Sequence, residues 1–287
     1  MKILVTGCSG SFGQWVVKEL LANGHTAIGV DLHQSPKVPC PVLIANLRDA
    51  GEVYSVLRGE LPDGVINLAA IPRPGILSER ATFLTNVEIA YNIFEAAASL
   101  GIPKVAHAST DSSYGFVFAK HPIMPKYLPI DEAHPQLPQD CYGGSKMLNE
   151  HTARIFAHAN PEMQITCLRI CGLIDPENPP HFMSWNGTVE SVGIAWRGLF
   201  SYIDMRDAAS GFRLAIEKNL PGFEVFNIVA KDTLAAAETT KLIAHYFPDA
   251  EIRKEFTGNE SLFSTEKATR VLEWRQNYSW RDNNCMK

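Results

Sequence analysis

Residues 6–13 read Thr-Gly-Cys-Ser-Gly-Ser-Phe-Gly and decide the fold, because they join a short apolar run to an amphipathic stretch. In such a turn Gly7 permits a tight bend, Gly10 lets the backbone approach a pyrophosphate, and Gly13 lets a helix pack closely on a strand. The free N–H groups at the start of that helix would face phosphate oxygens. The stretch therefore predicts a dinucleotide-binding turn formed by Gly7, Ser9, Gly10, Ser11, Phe12 and Gly13.

Short apolar runs alternate with amphipathic stretches on both sides of this turn. The runs indicate strands at 2–6, 26–31, 42–45, 65–69, 104–109 and 164–170. One helix follows the glycine turn, a long one follows Thr82, and another starts near Tyr142. This alternation is typical of parallel βαβ units. The predicted fold class is α/β, a Rossmann-type doubly wound parallel sheet with a small C-terminal substrate-binding part.

The second predicted strand ends at Asp31, eighteen residues beyond Gly13. A carboxylate at this place can accept hydrogen bonds from the ribose hydroxyls of an adenosine and would repel a 2′-phosphate. No arginine lies beside it, and Lys37 is the nearest cation downstream. The sequence therefore favours NAD over NADP as the cofactor.

The same pattern predicts how the chain is divided. Residues 1–170 would form an NAD-binding Rossmann domain, and residues 171–287 a mixed region. Within the mixed region, residues from about 200 to 230 would complete the sheet. The small substrate-binding part would be formed by residues from about 171 to 199 and from about 231 to 287.

Composition limits the classes of function. The chain has 287 residues, a formal net charge of −5 and 46% hydrophobic residues, which is typical of a soluble globular protein and gives no attraction to nucleic acid. No apolar run reaches the roughly 18 residues that a membrane span needs. The six cysteines are scattered and indicate neither a disulfide framework nor a zinc site. We therefore expect no metal, no nucleic-acid partner, no membrane association and a cytoplasmic location.

Further motifs follow the glycine turn in a fixed order. They are Asn46-Leu47, Asn67-Leu68-Ala69-Ala70, Asn86, Thr110 four residues before Tyr114-Gly115, and Tyr142-Gly143-Gly144-Ser145-Lys146. With the TGxxGxxG spacing of residues 6–13, this order resembles the extended short-chain dehydrogenase/reductase family, in its NAD-dependent epimerase/dehydratase group. The resemblance covers about residues 1–170. It implies contacts with the cofactor from Asn46, Leu47, Leu68, Ala69, Ala70, Asn86, Tyr142 and Lys146.

The resemblance also implies a reaction, the transfer of a hydride to and from a carbinol carbon. Tyr142 would exchange the hydroxyl proton, and Thr110 would hold the substrate oxygen by a hydrogen bond. A phenol ordinarily has a pKa of about 10. The i to i+4 spacing places Lys146 on the helical face of Tyr142. Its ammonium group and a positively charged nicotinamide would lower the pKa of Tyr142.

Departures from the family pattern bear on the substrate. Members that act on nucleotide sugars usually have an asparagine and an arginine for the nucleotide, where this chain has Cys171 and Phe200. Arg197 is close enough to take over the role of that arginine. We therefore expect a small-molecule substrate without a nucleotide, which would be a sugar, a sugar acid or a similar polyol.

Four residues are candidates for contacts with this substrate. Asp111 matches an acid of the dehydratases, but Ser112 replaces the glutamate that usually follows it, which makes an elimination reaction doubtful. His181 and Trp185 lie with Asn186 in a proline-rich irregular segment and are expected at the rim of the substrate site.

Alternatives to an NAD-dependent dehydrogenase remain open in the sequence. A nucleotide-sugar epimerase that retains its NAD needs the same catalytic residues, Thr110, Tyr142 and Lys146. A non-catalytic sensor of NAD is a second alternative, which the intact set disfavours. The oligomeric state is also open: the resemblance suggests a homodimer through the two long helices, and Val87, Ala90 and Phe94 would suit either that interface or the core.

Overall fold

The computed structural model describes residues 1–178 and 193–282, which alternate between strands and helices. In chain order the strands are β1 (Lys2–Thr6), β2 (Thr26–Asp31), β3 (Val42–Ile44), β4 (Gly64–Asn67), β5 (Lys104–Thr110), β6 (Tyr127–Leu128), β7 (Gln164–Ile170), β8 (Leu173–Ile174), β9 (Ile203–Asp204), β10 (Gly222–Ile228) and β11 (Glu251–Ile252). The helices are α1 (Ser11–Ala22), α2 (Ala50–Glu60), α3 (Glu79–Leu100), α4 (Cys141–Ala159), α5 (Met205–Glu217), α6 (Thr239–Tyr246) and α7 (Glu266–Val271).

Seven of these strands form one parallel sheet in the order β10-β7-β5-β4-β1-β2-β3. From β1 the chain continues to β2 and β3 on one side, and from β4 it continues to β5, β7 and β10 on the other. The sheet therefore has its topological switch point between β1 and β4. In doubly wound sheets, the crevice outside the carboxyl ends of the strands at this switch point is where ligands bind. The glycine turn at 6–13 follows β1 directly and therefore lies at the switch point. The predicted fold class is confirmed.

Helices cover both faces of the sheet and create two hydrophobic cores. Helices α1 and α5 pack together on one face, and α2, α3 and α4 pack side by side on the other. Ala90 and Phe94 lie on the buried face of α3 and belong to the core, whereas Val87 is half-buried. Among the described residues, no helix is both long and apolar enough to cross a membrane.

The predicted strand at 65–69 ends earlier, at Asn67, because the backbone turns there to pass over the glycine turn. The hydroxyl group of Thr6 donates to Oδ1 of Asn67 (2.7 Å) and accepts the N–H groups of Leu68 and Ala69 (3.2 Å each). A Cβ atom on Gly7 would lie 2.9 Å from the nitrogen of Ala69. Gly7 therefore allows the chain after β4 to lie directly against the turn after β1.

Residues beyond 170 contribute to the main sheet and its covering helices and also to small elements outside that sheet. Helix α5 and strand β10 join the central layers. Two short parallel pairs, β6 with β11 and β8 with β9, lie outside the main sheet. The division into domains at residue 170 stays a prediction.

Candidate active site

A cavity of about 1560 Å³ opens at the carboxyl ends of the strands. Ligand pockets in proteins usually measure about 300–1,000 Å³, so this cavity has room for a dinucleotide and a second molecule. The glycine turn lines one end, and Thr110, Tyr142 and Lys146 lie farther along its wall. The structure therefore brings the predicted cofactor and catalytic residues to one continuous site.

The glycine turn has the geometry that a closely approaching phosphate requires. Gly7 has a φ of +68°, which places it in the left-handed region that favours glycine. A Cβ atom on Gly13 would lie 2.2 Å from the carbonyl oxygen of Gly7, so only glycine lets α1 begin this close to β1. Gly10 precedes α1 without a side-chain cap, and the first N–H groups of the helix stay available for an anion. The turn fits the pyrophosphate of a dinucleotide.

Asp31 is held at the end of β2 by two backbone groups. Its carboxylate accepts the N–H of Ser9 (2.9 Å) through Oδ2 and the N–H of Leu32 (2.7 Å) through Oδ1. The side chain of Ser9 also donates to the carbonyl oxygen of His33 (2.6 Å). These bonds tie the glycine turn to β2 and direct the carboxylate toward the cavity, where a ribose would lie.

The predicted cofactor residues fall into two groups by whether their side chains or backbone line the cavity. Most line the cavity: Gly7, Ser9, Gly10, Ser11, Phe12, Gly13, Asp31, Asn46, Leu47, Leu68, Ala69, Ala70, Tyr142 and Lys146. Asn86 lies behind the wall, 2% exposed. Its side chain accepts the N–H of Ile71 (2.7 Å) and donates to the Ile71 carbonyl oxygen (3.1 Å) and to the Ser145 hydroxyl (3.1 Å). Asn86 thus supports the loop after β4 and the start of α4.

Tyr142 and Lys146 are presented by the first turns of α4. Asp140 caps this helix, because its Oδ1 accepts the N–H groups of Tyr142 (2.9 Å) and Gly143 (2.8 Å). A Cβ atom on Gly143 would lie 2.5 Å from the carbonyl oxygen of Ser112, so glycine lets α4 begin directly against the chain after β5. The side chain of Thr110 hydrogen-bonds to the phenol of Tyr142. The predicted catalytic residues are therefore in contact or on adjacent turns.

The expected fall in the pKa of Tyr142 is wrong for the protein itself. Burial raises the pKa of the phenol above its usual value, and the nearby charges of Asp111 and Asp140 raise it further, against a lowering by the Thr110 hydrogen bond. Lys146 does not offset this, because its Nζ lies 6.0 Å from the centre of the Tyr142 ring and donates to the carbonyl oxygen of Ala108 (2.7 Å). Burial also lowers the pKa of Lys146 to about 8.

The substrate side of the cavity is formed by residues from distant parts of the chain. Asp111 and Ser112 line it beside Thr110. His181, Trp185 and Asn186 lie outside the described residues. The sequence did not indicate several other lining residues, which are Val117, Phe118, Ser201, Tyr202 and Leu234. Val117 and Phe118 lie two and three residues after Gly115 in the sequence, and the ring of Phe118 packs edge-on against Tyr142 at 6.2 Å.

Cys171, Arg197 and Phe200 all line this side of the cavity. Phe200 is fully buried against the rings of Tyr246 and Phe247 and offers no charge to a phosphate. The guanidinium group of Arg197 donates to the carbonyl oxygen of Ala119 (3.0 Å). Within residues 1–178 and 193–282, no cluster of His, Cys, Asp and Glu could hold a metal ion.

The fold and the predicted catalytic set together indicate an oxidoreductase of the short-chain dehydrogenase/reductase type. The chain belongs to the NAD dependent epimerase/dehydratase family, whose sequence model matches residues 3–229. The predicted family, enzyme class and cofactor, NAD, are confirmed.

Individual relatives include both dehydrogenases and epimerases. An L-arabinose 1-dehydrogenase (NAD(P)(+)) of Haloferax volcanii is 26% identical over 253 residues, which are 85% of this chain and 95% of that protein. A UDP-glucose 4-epimerase of Lacticaseibacillus casei is 31% identical over 157 residues, 52% of this chain and 45% of that protein. In structure, the chain is similar to a short-chain dehydrogenase/reductase superfamily protein from Agrobacterium tumefaciens with bound NAD, with a TM-score of 0.73, 21% identity and coverage of 100% and 95%.

Proposed function

We propose that this protein is an NAD-dependent dehydrogenase that oxidises a carbinol carbon of a free sugar, sugar acid or similar polyol. The observation that carries the proposal is the position of Thr110, Tyr142 and Lys146 on the wall of the same cavity as the glycine turn. The bound NAD would supply the hydride acceptor, and the chain's own groups would hold the substrate oxygen and move its proton.

Each catalytic side chain has a role that follows from its surroundings. Tyr142 would take the hydroxyl proton during oxidation and return it during reduction. Its raised pKa makes it a strong base once ionised, and the positive charge of the oxidised nicotinamide favours ionisation. Lys146, which is 3% exposed, would hold a ribose hydroxyl and add a second positive charge near the phenol.

The substrate class is supported by Phe200 in the lining of the cavity. A nucleoside diphosphate needs paired donors, and Phe200 offers none where this family usually has an arginine. The missing arginine favours a substrate without a nucleotide, and a relative named for a free pentose is matched over 95% of its length.

The test is a screen for NADH formation at neutral pH with NAD and six compounds, which are D-glucose, D-galactose, L-arabinose, D-xylose, D-glucuronate and D-galacturonate. We expect one of them to be oxidised with NADH accumulating in solution. Calorimetric titration of the NAD-loaded protein with UDP and UDP-glucose is the parallel measurement. Micromolar binding of UDP that is lost in Arg197→Ala would overturn the free-sugar proposal and favour the epimerase with retained NAD. Tight NAD binding without any turnover of either class would favour the sensor.

A homodimer through α3 and α4 is a separate proposal. These two helices pack side by side and expose four apolar side chains at seven-residue spacings, Leu84 and Tyr91 on α3 and Leu148 and Ile155 on α4. Residues seven apart lie on one helical face, so each helix exposes an apolar pair. Sedimentation velocity should show a dimer for the wild type and a monomer for Leu84→Asp/Ile155→Asp. A monomeric wild type would contradict the proposal.

A further inference from the structure

Arg197 contributes a guanidinium group to the lining on the substrate side of the cavity. The residue is half-buried, and its Nη1 donates to the carbonyl oxygen of Ala119 (3.0 Å). Its Cζ atom lies 5.6 Å from the centre of the Trp196 ring. Both partners are neutral, and no carboxylate pairs with Arg197 in the described ranges 1–178 and 193–282. The positive charge of this side chain is therefore unmatched in that part of the chain.

The contact with Ala119 leaves one edge of the guanidinium group for a ligand. This edge carries Nε and Nη2, which have no hydrogen bond to a described residue. An arginine has five N–H donors in a planar fork, and two parallel donors match the two oxygens of a carboxylate. Partial burial of a charge costs free energy, which pairing with an opposite charge offsets. The geometry of Arg197 therefore fits a carboxylate that arrives with the substrate.

One link between Arg197 and the catalytic residues runs through the loop after β5. Ala119, which accepts from the guanidinium group, directly follows Phe118. The ring of Phe118 packs edge-on against the ring of Tyr142 at 6.2 Å, and both residues line the cavity. The guanidinium group and the phenol are therefore joined along one wall, with Phe118 between them.

A second link runs through the segment that carries Arg197 itself. Four residues later, Ser201 donates to Oδ2 of Asp111 (3.3 Å), which is the neighbour of Thr110. The two residues before Ser201 have φ values of +51° and +56°. Non-glycine residues in this left-handed region are strained and persist only where the surrounding structure holds them. The turn from Arg197 to Ser201 is therefore fixed, and it sets the guanidinium group relative to the reacting position.

We propose that Arg197 binds a carboxylate of the substrate and makes the enzyme specific for a sugar acid whose acid group lies away from the reacting carbinol. The carboxylate of Asp111 lies at the reacting end, beside Thr110, and disfavours a second negative charge there. The acid group is thus directed to Arg197 and the carbinol to Thr110 and Tyr142.

This inference rests on the proposed function and narrows its substrate class to acids. A cyclic uronate has the required shape, because its carboxylate is carried on C5, across the ring from C1. The C1 carbinol would lose a hydride to NAD and its hydroxyl proton to Tyr142, and the product would be a lactone. An acid that reacts at the carbon next to its carboxylate would place its charge near Asp111 and is disfavoured.

Arg73 provides a matched control for the role of Arg197. It also lines the cavity, but it is exposed to solvent. Water screens a charge there, so a carboxylate gains less from pairing with it than with a half-buried guanidinium group. Arg73→Gln therefore removes one positive charge from the same cavity without removing the proposed carboxylate site.

A binding experiment with the NADH-loaded protein tests the inference without turnover, since NADH leaves no acceptor for a hydride from the sugar. Two pairs of sugars differ only in a carboxylate that replaces a hydroxymethyl group, D-glucuronate with D-glucose and D-galacturonate with D-galactose. Calorimetric titration should show the acid of at least one pair binding about tenfold or more tightly than its neutral partner. Equal binding within both pairs, or no binding of either acid, would overturn the proposal.

Variants of Arg197 test whether the preference comes from its charge and its fork. Arg197→Gln should weaken binding of the preferred acid by about ten- to one-hundredfold and that of the neutral sugar by no more than about twofold. Arg197→Lys keeps the charge without the fork and should restore part of the preference. Equal losses for acid and neutral sugar would show that Arg197 only holds the wall. That result, or the same loss of preference in Arg73→Gln, would overturn the proposal.

Turnover separates this inference from the proposed function. With NAD in place of NADH, the preferred acid should form NADH faster than its neutral partner at equal, low concentration. NADH formation from neutral sugars without any preference for an acid would contradict the inference alone. Tighter binding of an acid that depends on Arg197, without NADH formation from any sugar, would support the role of Arg197 and contradict the proposed function.

Discussion

Two buried clusters of charged side chains flank β5, and they differ in whether the charges have partners of opposite sign. In one, Arg169 of β7 binds Glu150 of α4 through two parallel bonds (2.9 Å from Nε and 2.6 Å from Nη2). Arg169 also donates to the Tyr114 phenol oxygen (2.8 Å) and to the Glu132 carbonyl oxygen (3.0 Å). Burial alone would lower the pKa of Arg169, but these partners raise it above its usual value.

The second cluster, around the candidate active site, leaves its charges without opposite partners. The only hydrogen bond of Lys146 that the structure gives within residues 1–178 and 193–282 goes to the neutral carbonyl oxygen of Ala108, and its pKa is lowered to about 8. The pKa of Tyr142 is raised, and that of Asp111 is raised to about 6. Paired charges stabilise one protonation state, whereas unpaired buried charges can change theirs within the range in which enzymes work. The comparison separates a cluster that holds the fold from one that can move protons.

The largest expected effect comes from removing the proposed proton-transfer group. Tyr142→Phe should lower turnover of the sugar substrate by about 10²–10⁴-fold, because a general acid–base residue contributes that much. The fold and NAD binding should be retained, since the Tyr142 hydroxyl makes no bond to the fold besides that to Thr110 in the described residues. Steady-state kinetics, circular dichroism and NAD titration check this. Wild-type turnover would remove Tyr142 from the mechanism.

The next effect is on stability and concerns the paired cluster. Glu150→Gln should lower the free energy of unfolding by about 3–5 kcal/mol, because it leaves Arg169 buried without its countercharge. Denaturant unfolding measures this. The control is Glu238→Gln, which removes the partner of Lys241 on the surface and should cost no more than about 1 kcal/mol. Equal losses of unfolding free energy in the two variants would show that burial does not set the contribution of the Arg169–Glu150 pair to stability.

A smaller effect of opposite sign is expected at the unpaired cluster. Lys146→Met should raise the free energy of unfolding at pH 7 by roughly 1–3 kcal/mol, since it removes a buried charge whose pKa the fold has lowered. The folded-state pKa is about 8 and the usual value 10.5, so the wild type bears this cost fully below pH 8 and loses it as the pH rises toward 10.5. Thermal unfolding at several pH values should show the difference shrinking above pH 8. Activity should be lost at every pH.

The smallest effect concerns the choice of cofactor. Asp31→Ala should weaken NAD binding and relax the preference for NAD over NADP by about ten- to one-hundredfold, because a charged hydrogen-bond acceptor is removed from the ribose site. Titration of both cofactors against tryptophan fluorescence measures the preference. Asp31→Asn keeps the size of the side chain without its charge and shows whether repulsion of a 2′-phosphate contributes. Tighter binding of NADP than of NAD by the wild type would contradict the argument.

Local spacing in the sequence was enough to predict the fold class and the cofactor turn. Gly7, Gly10 and Gly13 lie within one turn, where Gly10 and Gly13 lie against the backbone of Gly7, so their spacing alone indicates the turn. The order of the later motifs predicted that Tyr142 and Lys146 would lie near this turn. Strand ends were less predictable, because β4 stops at Asn67 for a reason that lies on β1, in the hydroxyl group of Thr6.

The tertiary structure alone decided the protonation states and the substrate wall. The pKa of Tyr142 depends on its burial, and no pattern in the sequence reports how deeply a helix start is covered. Ser201 meets Asp111 across 90 positions of the chain, and Asn86 is turned away from the cavity by its bonds to Ile71 and Ser145. Contacts of this range arise from the packing of whole elements, so a sequence of local motifs specifies the parts of this site but not the charges they carry.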